Sequence, residues 1–305
     1  MVHKVSPLPV ILLIGKNGQV GFELRRSLAP LGRVVALGRA DCDLTQPDQL
    51  RQAVRAFQPD VVINAAAYTA VDNAETEPDA ALAVNGVAPG VLAEMVRTNG
   101  GLLVHYSSDY VFDGAKDCPY LETDVPNPQS VYGRTKLEGE RAIAASGANA
   151  LVLRTSWVAG AHGDNFVKAI LRQARERKHL RVIADQLGAP TSASLIADVT
   201  AQIVARHWVY GERDALMPGV YHLAAAGQTT WHGYASEVLR YAAGRCVDLK
   251  AAVAGIEAIP AVKWHSRASR PANSCLDTSK LRETFGVHLP NWQEGIQCLL
   301  EQIFP

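Results

Sequence analysis

Between Val10 and Thr155 the chain alternates short, nearly unbroken apolar runs with longer helix-like stretches, and this rhythm limits the fold more than any other feature. The runs are Val10–Ile14, Arg33–Leu37, Asp60–Asn64, Leu102–Ser107 and Ala150–Thr155. A strand with one wet face alternates apolar and polar residues, whereas continuous runs of this length read as strands covered on both faces. The segments between them, Val20–Leu31, Gln46–Phe57, Asp79–Thr98 and Val131–Ser146, read as helices. Pro47 stands near the start of its helix, where a missing N–H costs little. Strand–helix alternation predicts an α/β fold with a doubly wound parallel sheet and right-handed crossovers.

After residue 160 the pattern loosens. Helices are expected over Asn165–Arg177, Leu195–Trp208 and His232–Ala243, with a last one from Trp292. Short strands are expected at Arg181–Ala184 and Val220–Ala224, and loops at Asp185–Thr191 and Ser269–Ser274. Residues 10–160 thus form one domain. Residues 161–305 form a smaller one, interleaved with the first through segments near 181–224.

The 30 basic residues balance 30 acidic ones, which argues against the basic surface that nucleic acid requires. The five cysteines lack C-x-x-C spacing, as in a reduced cytosolic chain. The opening M-V-H-K-V-S-P-L-P leads into an apolar run too short for a signal segment, and no stretch reads as a membrane span. A cytoplasmic protein without membrane or nucleic-acid partners is expected. The histidines show no H-E-x-x-H spacing, so no catalytic metal is expected.

The first strand runs into a loop containing Gly15, Lys16, Asn17, Gly18, Gln19, Val20 and Gly21, followed by a helix. Glycines let the chain turn tightly and let a pyrophosphate approach the amides, and the helix N-terminus offers unpaired N–H groups. The G-x-x-G-x-x-G spacing is one residue longer than the G-x-G-x-x-G dinucleotide fingerprint, and its setting makes this a Rossmann-type binding loop. The second strand ends at Gly38, where a carboxylate on the adenosine ribose would favour NAD. Lys16 and Arg39 can instead meet a 2′-phosphate, so NADPH is expected, with NADH tolerated; the other reading of Arg39 is a solvated side chain. Asp43 and Leu44 stand where adenine would lie, with helix capping the competing role for Asp43. After the third strand, Ala65, Ala67, Tyr68 and Thr69 let a cofactor lie flat on the strand ends.

Tyr132 and Lys136, one helical turn apart, and Ser108 at the end of the fourth strand complete the set. A phenol with an ammonium nearby can protonate an oxygen while a hydride arrives at carbon, and a hydroxyl can hold that oxygen.

The strings G-K-N-G-Q-V-G, N-A-A-A-Y-T-A-V-D-N-A-E, H-Y-S-S-D-Y-V-F-D-G, V-Y-G-R-T-K-L-E-G-E, L-R-T-S-W-V, D-Q-L-G-A-P-T and S-R-P-A-N-S occur in that order from about Ile11 almost to the end. In them the chain resembles the extended short-chain dehydrogenase/reductase family and, within it, the dTDP-4-dehydrorhamnose reductases. The resemblance implies NADPH-dependent reduction of the C4 ketone of dTDP-4-dehydro-β-L-rhamnose, the last step of dTDP-L-rhamnose synthesis. It implies that Tyr132 donates the proton and that Lys136 holds the nicotinamide ribose and lowers the phenol pKa. Ser108 stands where Thr is common; with Asp109 it would touch the hexulose. Trp157 would pack on the sugar (a plain core aromatic is the alternative), and Tyr106 would line the nicotinamide pocket. Some relatives bind magnesium at a homodimer contact through three glutamates. Glu23 and Glu301 match two of these, but the third position is Ser194, so no metal site is assigned.

Two rivals remain at this point. An epimerase or dehydratase of the same superfamily would retain NAD, although a dehydratase needs a second carboxylate and Asp109 is followed by Tyr110. A non-catalytic regulatory subunit is the other, and the intact Ser108, Tyr132 and Lys136 weigh against it. Arg172, Arg175, Arg177, Lys178 and Arg181 read as a solvated helix face or as a contact for the substrate diphosphate.

Overall fold

The structure is a computed structural model and describes residues 8–304; the reading of residues 1–7 lies outside the described residues. Its centre is a six-stranded parallel sheet of β1 (Val10–Ile14), β2 (Arg33–Leu37), β3 (Val61–Asn64), β4 (Leu102–Ser108), β5 (Ala150–Thr155) and β6 (Gly219–His222). The spatial order is β6-β5-β4-β3-β1-β2. The strands from β3 to β5 are buried throughout, as their unbroken apolar runs require.

Helices cover both faces. On one lie α1 (Gln19–Leu28) and, from later in the chain, the helix Ala193–Val204. Facing the other are α2 (Pro47–Phe57), α3 (Pro78–Asn99) and α4 (Val131–Ser146). Leu24 and Leu28 of α1 pack with Ile196 and Val199 over β1, β3 and β4, and Leu50, Val54 and Leu92 fill the opposite side. Each such fully buried leucine removes enough apolar surface from water to stabilise the fold by roughly 1.5–3 kcal/mol.

Contrary to the sequence expectation, α3 is long and apolar enough to cross a membrane by length and composition. The cause is its place in the fold: Val91, Leu92 and Val96 lie in the core beneath the sheet while Gly90 approaches Ala142 of α4, so small and apolar residues prevail on two sides.

The later elements are α5 (Phe166–Glu176), α6 (the Ala193–Val204 helix), α7 (Trp231–Gly244), α8 (Ser279–Phe285) and α9 (Trp292–Ile303). A second core joins α5, α7 and α9. Beside it the strand Leu180–Ile183 pairs in parallel with Ile256–Ile259. That second strand and α8 were not anticipated: at four and seven residues they are too short for periodicity to register. The 185–191 loop contains the short strand Leu187–Gly188, paired with Thr229–Thr230.

Candidate active site

β1 ends at Gly15, whose backbone is left-handed (φ 94°). A Cβ there would come within 2.6 Å of the Ala66 amide nitrogen, so the loops after β1 and β3 meet only because Gly15 lacks one. The meeting point is where the strand order reverses, the place where open α/β sheets bind ligands. No side chain caps α1 and its first turn holds no acid, which leaves the Gln19 and Val20 end of the helix suited to an anion. A Cβ on Gly18 would meet nothing closer than 3.5 Å. These features fit a dinucleotide phosphate. The Gln19 Oε1 also accepts from the Gly160 amide (2.8 Å) and from Asn165 Nδ2 (2.9 Å), fastening the loop after β5 to the glycine turn.

At the end of β2, Arg39 is exposed. Lys16 Nζ donates to Asp41 Oδ2 at 2.6 Å, and the Gly38 amide donates to the same oxygen at 2.8 Å. Lys16 holds the Asp41 carboxyl below its usual range. A carboxylate missing at Gly38 is therefore supplied three residues later, where the turn folds back. Asp43 Oδ1 accepts from both the amide and the hydroxyl of Thr45 at 2.9 Å, a local turn leading into α2, and Leu44 is buried in the core. Beyond β3, Ala65, Ala67, Tyr68 and Thr69 form a half-buried to exposed rim. Asn85 pins it from a π turn (Ala83–Val87) inside α3: its Oδ1 accepts from the Tyr68 amide (2.9 Å) and its Nδ2 donates to the Tyr68 carbonyl (3.1 Å) and to Thr135 (3.2 Å).

Side chains of β4 alternate between faces. His105 and Ser107 face α4. Tyr106 points the other way, and its hydroxyl pairs with Thr200 of α6 at 2.7 Å. The Tyr106 ring thus lies in the core, while its carbonyl accepts from Lys136 Nζ at 2.5 Å. Lys136 is fully buried and its Nζ also lies 3.3 Å from His105 Nε2. Burial lowers the Lys136 pKa to about 8.

Ser108, Asp109 and Tyr132 come together. Burial raises the Tyr132 pKa, opposed by hydrogen bonding with Ser108 and reinforced by the Asp109 charge. This differs from the expected lowering by Lys136, because that amine is turned towards Tyr106 and His105. The phenol stays protonated, as an acid must. The Ser108 hydroxyl donates to Asp109 Oδ1 at 2.9 Å, while Asp109 Oδ2 is buried and takes no hydrogen bond of ordinary length. Burial raises the Asp109 pKa to about 6.

Sequence reasoning missed a link across the site. Arg270 donates to Asp72 Oδ2 (2.8 Å) and to the Tyr110 hydroxyl (3.3 Å), and the Ala268 amide donates to Asp72 Oδ1 (3.0 Å). The Tyr110 ring stands edge-on to Tyr132, with centroids 5.4 Å apart. Asp72 and Arg270 lie in two of the strings singled out above, and that recurrence was the available signal. Trp157 joins a different group. Its ring stacks on Trp231 at 3.6 Å and covers Gly188, and its backbone is left-handed (φ 47°), a costly state for a residue with a side chain. The three-glutamate metal set does not fit: Glu23 contacts Arg26, and the Ser194 hydroxyl bonds Ser192.

The fold and this crevice define an extended short-chain dehydrogenase/reductase. The family described as RmlD substrate binding domain matches residues 10–304. A dTDP-4-dehydrorhamnose reductase of Burkholderia thailandensis is 50% identical over 288 residues, covering 94% of this chain and 96% of that protein. The chain therefore belongs to the dTDP-4-dehydrorhamnose reductase family. Among solved structures, the Clostridium acetobutylicum dTDP-4-dehydrorhamnose reductase superposes with a TM-score of 0.88 at 32% identity, covering 97% of this chain and all (100%) of that one. The Bacillus anthracis enzyme, solved in complex with NADP, gives 0.86 at 29% identity, covering 96% and 99%.

Proposed function

We propose that this chain reduces the C4 ketone of dTDP-4-dehydro-β-L-rhamnose to dTDP-β-L-rhamnose in the cytoplasm, using NADPH and tolerating NADH. Residues 10–160 hold the cofactor, and residues 161–305 mainly hold the sugar nucleotide. The observation that carries the reading is the half-buried Tyr132, its phenol bonded with Ser108 at the carboxyl end of β4, in a chain matched to this family over nearly its full length.

When bound, the nicotinamide supplies the hydride. Gly15, Gly18, Gln19 and Val20 offer backbone and space to the pyrophosphate; Ala65, Ala67, Tyr68 and Thr69 form the flat wall, with Arg39, Asp43 and Leu44 at the adenosine end. Ser108, whose hydroxyl donates to Asp109 in the structure, turns it to the ketone oxygen when the sugar binds. Tyr132, kept as a phenol by burial, gives that oxygen its proton as charge develops. Lys136 holds the ribose. Asp109 and Trp157 contact the sugar, and Tyr106 backs the nicotinamide pocket. The test is NADPH consumption with a panel of nucleotide-linked 4-ketohexoses, with products identified by NMR. The dTDP-linked 4-dehydro-L-rhamnose should be turned over fastest, and Tyr132→Phe should lower kcat by roughly 10²–10⁴-fold while NADPH still binds. A Phe variant with near wild-type kcat would remove Tyr132 from the acid role.

A further inference from the structure

Behind the site, four groups from three elements form one buried line. The Ala66 amide donates to Asn64 Oδ1 at 3.2 Å. Asn64 Nδ2 lies 3.2 Å from His105 Nδ1, and His105 Nε2 lies 3.3 Å from Lys136 Nζ, which bonds the Tyr106 carbonyl at 2.5 Å. Asn64 and His105 have no exposed surface, so water cannot supply a missing partner.

Donors and acceptors must alternate along such a line. A backbone N–H can only donate, so Asn64 must turn its oxygen to Ala66 and its NH₂ to the imidazole. His105 Nδ1 must then be the bare, accepting nitrogen. Burial keeps this imidazole neutral, so its single proton sits on Nε2 and points at Lys136. An ammonium there would oppose two donors with no acceptor between them.

We propose that Asn64 and His105 are positioning residues that fix the Nε2–H tautomer and hold the Lys136 amine as a hydrogen-bond acceptor. Lys136 thereby rests as the neutral amine more readily than burial alone would make it. The titratable groups facing it are His105 from β4 and Glu140 one turn along α4, and the two Glu140 oxygens are already taken by Arg154. Asn64→Asp inverts the line without changing its shape: a carboxylate accepts from Ala66 and from His105 Nδ1–H together, which leaves Nε2 bare to accept from an ammonium.

The consequence for turnover rests on the reductase reading, whereas the tautomer does not, and the experiment separates them. Two-bond proton–nitrogen spectra of the cofactor-free, ¹⁵N-labelled full chain, with His105 assigned by its loss in His105→Gln, report which nitrogen carries the proton. The expected result is Nε2–H in the wild type from pH 6 to 9 and Nδ1–H in Asn64→Asp. Nδ1–H in the wild type overturns the proposal. In NADPH turnover, the alkaline limb of kcat/KM should move up by about one pH unit in His105→Gln, whose amide oxygen offers Lys136 an acceptor. A fall in rate at every pH with the limb unmoved would reduce the pair to a packing role and likewise overturn the proposal. Should Asn64→Asp not fold, the wild-type tautomer and His105→Gln decide the matter.

Discussion

Two neighbouring serines on β4 serve two buried carboxylates with opposite fates. Ser107 faces α4 and bonds Glu140, whose two oxygens also accept from Nε and Nη2 of Arg154, at 2.9 and 2.6 Å, while Arg154 Nη1 is buried with no partner among the described residues. Ser108 faces the crevice and bonds Asp109 through one oxygen; the other is buried and takes no hydrogen bond of ordinary length, although the Ser274 hydroxyl lies near enough to favour the charged carboxyl. One position along a strand thus separates a carboxylate with both oxygens bonded in an ion pair from an open one with no cation beside it among the described residues. The closed pair joins α4 to β5 and holds the helix that carries Tyr132 and Lys136. The open one keeps acceptor capacity at the strand end, where the ligand of such a sheet arrives. Burial alone does not mark a working carboxylate; an unfilled bonding position beside a candidate acid does.

The closed pair gives the largest expected effect. Arg154→Met leaves Glu140 buried without its cation and should cost roughly 3–5 kcal/mol, read as a lower urea midpoint at unchanged slope. Replacing Glu140 by Met as well should restore most of the loss, since a buried pair exchanged for apolar side chains of similar volume is often close to neutral. If the single variant is as stable as the wild type, water reaches Glu140 and the contrast with Asp109 fails.

Asp109 tests the other half. Its folded pKa of about 6 stands above an unfolded value of about 3.9. Below pH 4 both states hold the proton and the group contributes no difference. Between pH 4 and 6 the folded state keeps a proton that the unfolded state has lost, so stability falls as pH rises, by roughly 3 kcal/mol at pH 7. Asp109→Asn removes that dependence. It should match the wild type near pH 4 and exceed it in Tm above pH 6, while losing substrate affinity. Parallel stability curves for the two proteins would mean that Asp109 is solvated or paired after all.

The two halves of this contrast were unequally legible. β1, β2 and β5 fall on the residues expected of them, and β3 and β4 within one, because strands covered on both faces are largely apolar; β2, at the sheet edge, is only half-buried, against the expectation that both its faces are covered. Ser108, Tyr132 and Lys136 were readable because their chemistry needs particular residue types at a helical spacing. His105 was not: a lone histidine inside an apolar strand looks the same whether it packs or positions, and only the line from Ala66 to Lys136 distinguishes the two. Asp72 and Arg270, 198 residues apart, come together through tertiary folding, which no local spacing encodes. Asp41 escaped because a carboxylate was sought at the strand end itself and not in the turn that folds back over it.

The smallest effect comes from carrying the comparison to that turn, where the Lys16–Asp41 pair is only partly covered. An exposed pair of this kind adds little to stability, being screened by solvent and salt, so its influence should fall on cofactor choice. Asp41 competes for Lys16 with the 2′-phosphate of NADPH, and its own charge repels that phosphate. Asp41→Asn releases Lys16 and should raise the ratio of kcat/KM for NADPH over NADH by roughly tenfold, about one charge-assisted contact. Arg39→Ala should lower the same ratio by a smaller factor, because Arg39 stands beside the pair and not in it. Both shifts should shrink as salt rises. An unchanged ratio in both variants would place the choice between the two cofactors outside this turn, and would confine the consequences of an open carboxylate to the buried one at Asp109.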